Sequence, residues 1–156
     1  MLFPRTPLLV TRESSHTFRN LSYGRQNDEN KRAIKTAGGT NALVRLLRKT
    51  QDNDVKELVT GVLWNLSSCD DLKRTIIEEA LLVLVNIVII PHSGWERSGQ
   101  SGETHWSTVF RNASGVLRLV DIFQPEEIEQ NPPIKRINSS FPFQLNHLTD
   151  FVIAGT

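Results

Sequence analysis

Asparagine stands before Leu-Ser twice in the first half of this 156-residue chain, at Asn20 and at Asn65, about 45 residues apart. An asparagine amide carries one acceptor oxygen and a donor NH2 group. Two such groups at a regular spacing suit pairing with the backbone of an extended peptide, whatever side chains that peptide bears. Trp64 precedes Asn65 and supplies the flat apolar wall that often anchors a partner; Arg19 fills that place before Asn20. Each residue also has a plainer use. The asparagines could tie down the loop before the next helix, Trp64 could be core, and Lys31 could be a solvated helix charge.

An apparent third copy, "FRNAS" at Phe110–Ser114, echoes "FRNLS" at Phe18–Ser22. The better alignment sets Gly115-Val116-Leu117 on Gly61-Val62-Leu63. Arg118 then stands where Trp64 does and Leu119 where Asn65 does, so the third copy lacks the amide.

Catalytic chemistry finds little support. His16, His92, His105 and His147 are scattered, with no HExxH or CxxC companions. Cys69 follows a serine pair at a helix end, and nothing marks it as a nucleophile. "AGGT", Ala37–Thr40, is too short for a phosphate loop. The expectation is no enzyme, no metal and no cofactor.

Composition narrows the partners. Residues 1–56 hold eleven Lys/Arg and five Asp/Glu, and residues 57–156 hold seven and twelve, within a net charge of +1. The basic first part suits an acidic partner but is too dilute to argue for nucleic acid. One cysteine permits no internal disulfide and fits a reducing compartment. "MLFPRTPLLV" has two prolines where a secretory signal wants an unbroken apolar core, so no signal peptide is expected. "ALLVLVNIVII", Ala80–Ile90, is eleven residues long and is interrupted by Asn86. Crossing a bilayer takes about 20, so a buried helix is expected and no membrane insertion.

The elements that must position these residues are helices. Residues 1–17 read as irregular. Asn27 or Asp28 can cap a short helix "ENKRAIKTA" that Gly38-Gly39 stops. "NALVRLLRK" follows with Leu43, Val44, Leu46 and Leu47 on one face. "TQDND" then turns the chain and caps a third, longer helix over about Val55–Ser67. The phrase restarts with "DDLKRTIIEE" and "ALLVLVNIVII", which Pro91 should end. After a Gly/Ser-rich loop, "HWSTVFRNASGVLRLV" completes the unit.

Three helices per 40–47 residues mark an armadillo-type α-solenoid, in which each repeat is its neighbour's core. The reading is all-α: a right-handed solenoid of about two repeats plus a third helix. Residues 18–26 end one repeat and 27–69 form a full one. Residues 70–120 form another with a loop inserted at 91–104. Segments 1–17 and 121–156 are read as irregular.

The stretch from "NLSYGRQNDENKRAIKTAGGTNALVRLLRKT" through "GVLWNLSSCDDLK", with the later "VIIPHSGWE", resembles the delta-catenin and plakophilin armadillo family. Within it the chain resembles delta-catenins and the armadillo protein deleted in velo-cardio-facial syndrome. The likeness covers roughly Phe18 to Arg118. Outside it, the Pro-containing start and "LVDIFQPEE" depart from the family pattern, as in a fragment or a truncated product. The resemblance implies a groove lined by third helices, with Asn20 and Asn65 as peptide clamps and Trp64 as a wall. It implies that Lys31, at the start of a short helix, meets acidic peptide side chains. The implied partner is the acidic juxtamembrane tail of classical cadherins, with other junctional or cytoskeletal proteins besides. The implied place is the cytoplasmic side of cell–cell junctions, with a nuclear location as a further option. The alternatives are a truncated form with weak or no cadherin binding, and a small-GTPase or nuclear signalling scaffold.

Overall fold

The computed structural model describes residues 11–92 and 108–120. Those residues contain helices and turns and no strand. The expected irregular stretches at residues 1–10 and 121–156, and the inserted loop beyond His92, lie outside the described residues.

Helix α1 (Arg12–Ser22) starts before the expected boundary at Phe18. Thr11 and Ser14 form a reciprocal cap: Thr11 N–H donates to Ser14 Oγ at 2.8 Å, and Ser14 N–H donates to Thr11 Oγ1 at 3.4 Å. Polar "TRESSHT" resembles a loop because α1 buries serines. Ser15 and Ser22 are its buried residues, and their hydroxyls donate to Thr11 O and Arg19 O at 2.7 and 3.2 Å.

A 3-10 turn (Arg25–Asn27) leads to α2 (Asp28–Thr36). Asn27 is the N-cap residue, but its side chain makes no capping bond and instead donates to Tyr23 O. Gly38 ends the turn after α2 in the left-handed conformation, φ 78°. Gly39 opens α3 (Gly39–Lys49); a Cβ there would lie 2.6 Å from Ile34 Cγ2 and 2.8 Å from Ile34 O. The pair therefore gives a sharp turn and then a close helix approach. Asp52 caps α4 (Asn53–Ser67) by accepting from Asp54 N–H at 2.9 Å.

The second unit begins with α5 (Asp70–Glu79) and α6 (Leu81–Leu84). The helix then widens to π over Val85–Ile89 before α7 (Ile90–His92). Pro91 does not stop it where expected. Proline has no N–H and its ring crowds the carbonyl one turn back. A π stretch just upstream, in which Ile90 N–H reaches back to Val85 O, accommodates the ring and lets the helix run on to His92. Helix α8 (Thr108–Leu119) closes the unit.

One apolar core joins α3, α4, α5, the α6–α7 helix and α8. Leu43, Leu47, Val62, Leu63, Leu72, Ile76, Leu84, Val88 and Val116 are fully buried in it. Helix α4 lies between α1 and α8 and packs on both. Exposed ion pairs hold the edges. Arg12 meets Asp54 at 3.0 Å and Arg32 meets Asp71 at 2.7 Å. Pairs this exposed contribute little, because solvent screens them, so burial carries the fold.

Candidate peptide-binding face

The third helices of successive units, α1, α4 and α8, stand side by side. Their residues repeat in register, and the glycines prove it geometrically. A Cβ built on Gly115 would lie 2.6 Å from Trp64 Cε2 and 2.7 Å from Nε1, so the indole rests on α8. A Cβ built on Gly61 would lie 3.9 Å from Arg19 Nε. Arg19 thus overlies Gly61 as Trp64 overlies Gly115. The Gly61/Gly115 alignment holds, and Arg118 is the next member of the Arg19–Trp64 row.

Trp64 is half-buried, with one ring face on Gly115 and part of the ring open to solvent. Asn65, beside it, is also half-buried. Its Nδ2 donates to Ser22 Oγ at 3.3 Å and to Arg19 O at 3.4 Å, so it reaches back to the last turn of α1. Among the described residues its Oδ1 accepts no hydrogen bond. The donor end thus ties two helices together, the plain structural role, and among the described residues the acceptor end stays open. Asn20 is exposed and makes no side-chain hydrogen bond to a described residue.

Asn112, the apparent third copy, is a different object. It is buried, and its Nδ2 donates to Glu57 O at 3.1 Å and Thr60 Oγ1 at 3.3 Å. It stitches α8 to the first half of α4. The residue at the Asn65 position in α8 is Leu119, half-buried.

Lys31 has 0% of its surface exposed. Its ammonium donates to Asp28 Oδ1 and to Ser68 Oγ, both at 2.9 Å. Ser68 Oγ in turn donates to Asn65 O at 2.7 Å. The structure thus brings the buried Lys31 ammonium to the end of α4, where it is closed off from solvent. Sequence reading missed Ser68, whose place in this chain depends on a contact 37 residues away.

Charge around the row is basic. Arg19 and Arg118 flank Trp64 along it and are both exposed, as is Arg111 two turns earlier in α8. Between α1 and α4 lies a cleft of about 190 Å³ lined by Arg12, His16, Arg19, Asp54, Glu57 and Leu58. Away from this face, burial pushes the Glu79 carboxyl above its ordinary value, and neighbouring Glu78 adds to the shift. Asp70 is held below its ordinary value by its hydrogen bond from Lys73. Among the described residues no group of His, Cys, Asp and Glu is placed to hold a metal. None of the described helices is long and apolar enough to cross a membrane.

Stacked three-helix units with aligned third helices define an armadillo-type repeat protein, and the armadillo/beta-catenin-like repeat family model matches residues 27–68. Human catenin delta-2 is 59% identical over 115 residues, covering 71% of this chain and 9% of the relative. The human splicing regulator ARVCF is 54% identical over 115 residues, covering 71% and 12%. Mouse plakophilin-4 is 55% identical over 98 residues, covering 60% and 8%. The chain belongs to the delta-catenin/plakophilin armadillo family and spans about a tenth of the length of these relatives.

Proposed function

We propose that this chain is a peptide-binding module without catalytic activity. Its partner is the acidic juxtamembrane cytoplasmic tail of classical cadherins, bound at cell–cell junctions on the inner face of the plasma membrane. The observation that carries the reading is the end of α4, where the half-open Trp64 ring stands beside an Asn65 whose Oδ1 is unpaired among the described residues. An extended peptide would place a backbone N–H on that oxygen and an apolar side chain on the ring. Arg19 and Arg118 on either side favour acidic residues flanking that contact. Exposed Asn20 extends the clamp by one unit. Lys31, fully buried and paired with Asp28, would support the end of α4 without touching the peptide.

Leu119 supports a weaker form of the same reading. With no amide in the third position, the ladder of clamps is short, and affinity should fall below that of a longer solenoid. The test is calorimetric titration of the whole chain with a cadherin juxtamembrane peptide. Trp64→Ala should cost about tenfold or more in Kd, the scale of an anchoring aromatic residue. Equal binding by Trp64→Ala, Asn65→Ala and the unmutated chain refutes the assignment. It would favour a form that does not bind cadherin, or a signalling scaffold acting elsewhere.

A further inference from the structure

Ser68 is exposed, yet among the described residues its hydroxyl is the one link between a fully buried ammonium and the last turn of α4. A buried lysine is costly unless its donors are satisfied. Of the two partners Lys31 has among the described residues, Asp28 is local, three residues away on the same helix, with a side chain 39% exposed. Ser68 is the distant one, and it passes the contact on. Asn65 O accepts from Ser68 Oγ at 2.7 Å and from Ser68 N–H at 3.3 Å. A carbonyl in the last helical turn lacks the donor four residues on that the helix interior supplies, and the backbone gives this one only the long bond from Ser68 N–H. Here a charge-polarised hydroxyl holds it. The held carbonyl belongs to Asn65 itself, whose side chain is stretched to long hydrogen bonds with α1.

We infer that Ser68 is a positioning residue of the peptide site, through which buried Lys31 fixes the last turn of α4 and so the Trp64–Asn65 pair. The inference rests on the groove reading above for its effect on binding, but its effect on α4 does not need a partner. Lys31 therefore acts on a peptide through Ser68 and Asn65, and not by direct contact. Asp28 completes the device by keeping the ammonium compensated on the other side.

The test has two arms on the full-length chain. In the first, amide hydrogen exchange is measured on the free chain and on Ser68→Ala and Ser68→Thr. Ser68→Ala should speed exchange in the last turn of α4 and leave α3 and the first turns of α4 unchanged; Ser68→Thr should restore protection. Unchanged exchange in Ser68→Ala, or a uniform increase across all helices, overturns the inference whether or not any peptide binds.

In the second arm, the cadherin juxtamembrane peptide is titrated at two salt concentrations. Ser68→Ala should weaken binding about three- to tenfold, the worth of one hydrogen bond, with the salt dependence unchanged. Lys31→Met should weaken it to a similar degree, and the double variant should lose no more. Independent, additive losses with a reduced salt dependence in Lys31→Met would mean that Lys31 touches the peptide directly, and would overturn the positioning role. Trp64→Ala is the control for the groove: its binding as well as the parent removes the binding consequence, while the exchange arm still decides the Lys31–Ser68–Asn65 link.

Discussion

Helices α1 and α4 hold the same place in successive units and are built in opposite ways. Helix α4 is gripped on both sides, by α1 and α8, and buries Val55, Leu58, Val59, Val62, Leu63 and Leu66. Helix α1 packs on α4 but buries only Ser15 and Ser22, and leaves Leu21 44% exposed and Tyr23 largely exposed. The asparagines follow suit: Asn65 is held by α1, whereas Asn20 makes no such bond to a described residue. In a solenoid, a third helix becomes rigid when a neighbour covers each flank. A rung is only as well ordered as the helices beside it.

The largest expected effect separates the two helices by their cores. Leu63→Ala should destabilise the chain by about 2–5 kcal/mol, because a fully buried leucine leaves a cavity. Leu21→Ala in α1 should stay within about 0.5 kcal/mol, since exposed positions cost little. Thermal unfolding followed by circular dichroism measures both, and equal losses would erase the contrast.

Next comes the contact between units. Gly115→Ala should cost about 1–3 kcal/mol, as overpacking does, and should lift the Trp64 ring off α8. The check is a change in tryptophan emission that disappears in a Trp64→Phe background. The stitches rank third. Asn112→Ala removes the donor to Glu57 O and Thr60 Oγ1 and should cost about 1–3 kcal/mol, whereas Asn20→Ala should be near neutral to stability. Denaturant melts of the pair would reveal any departure.

The smallest effect concerns Glu79. Its folded-state pKa is raised above the ordinary 4.5 by burial, and its Oε2 is buried without a hydrogen-bond partner. The folded chain therefore holds this proton more tightly than the unfolded one. Below pH 4.5 both states are protonated and no penalty exists. As pH climbs through the raised value, stability is lost. Glu79→Gln should melt slightly higher than the parent at pH 7 and with it below pH 4.5. A difference that persists in acid would point to packing instead of charge.

Much of this arrangement was legible from residue types. The apolar spacing of Leu43 to Leu47 and of Val55 to Leu66 announces α3 and α4, because one burial face imposes the helical period. Gly-Val-Leu at 61 and 115 disclosed the register that the indole contact bears out. Helix α1 hid its first turns because its buried face is made of serine, which satisfies itself on its own carbonyls. The π stretch before Pro91 was not legible, since a proline announces a break and not the distortion that absorbs it. Lys31 read as a solvated or groove-facing charge; it is buried, and one of its partners, Ser68, lies far away in sequence. Local patterns record periods and caps, whereas pairings between distant polar groups leave no trace in them.

The resting place of Trp64 has one more consequence. The wall of the face belongs to one repeat, and the glycine floor that lets it lie flat belongs to the next. No single repeat would therefore contain the proposed site. What must be inherited together is a seam, so exchanging repeats as interchangeable cassettes would break it even if every repeat folded. A graft intended to move this face to another solenoid must carry both sides of the junction, from Gly61 through Gly115.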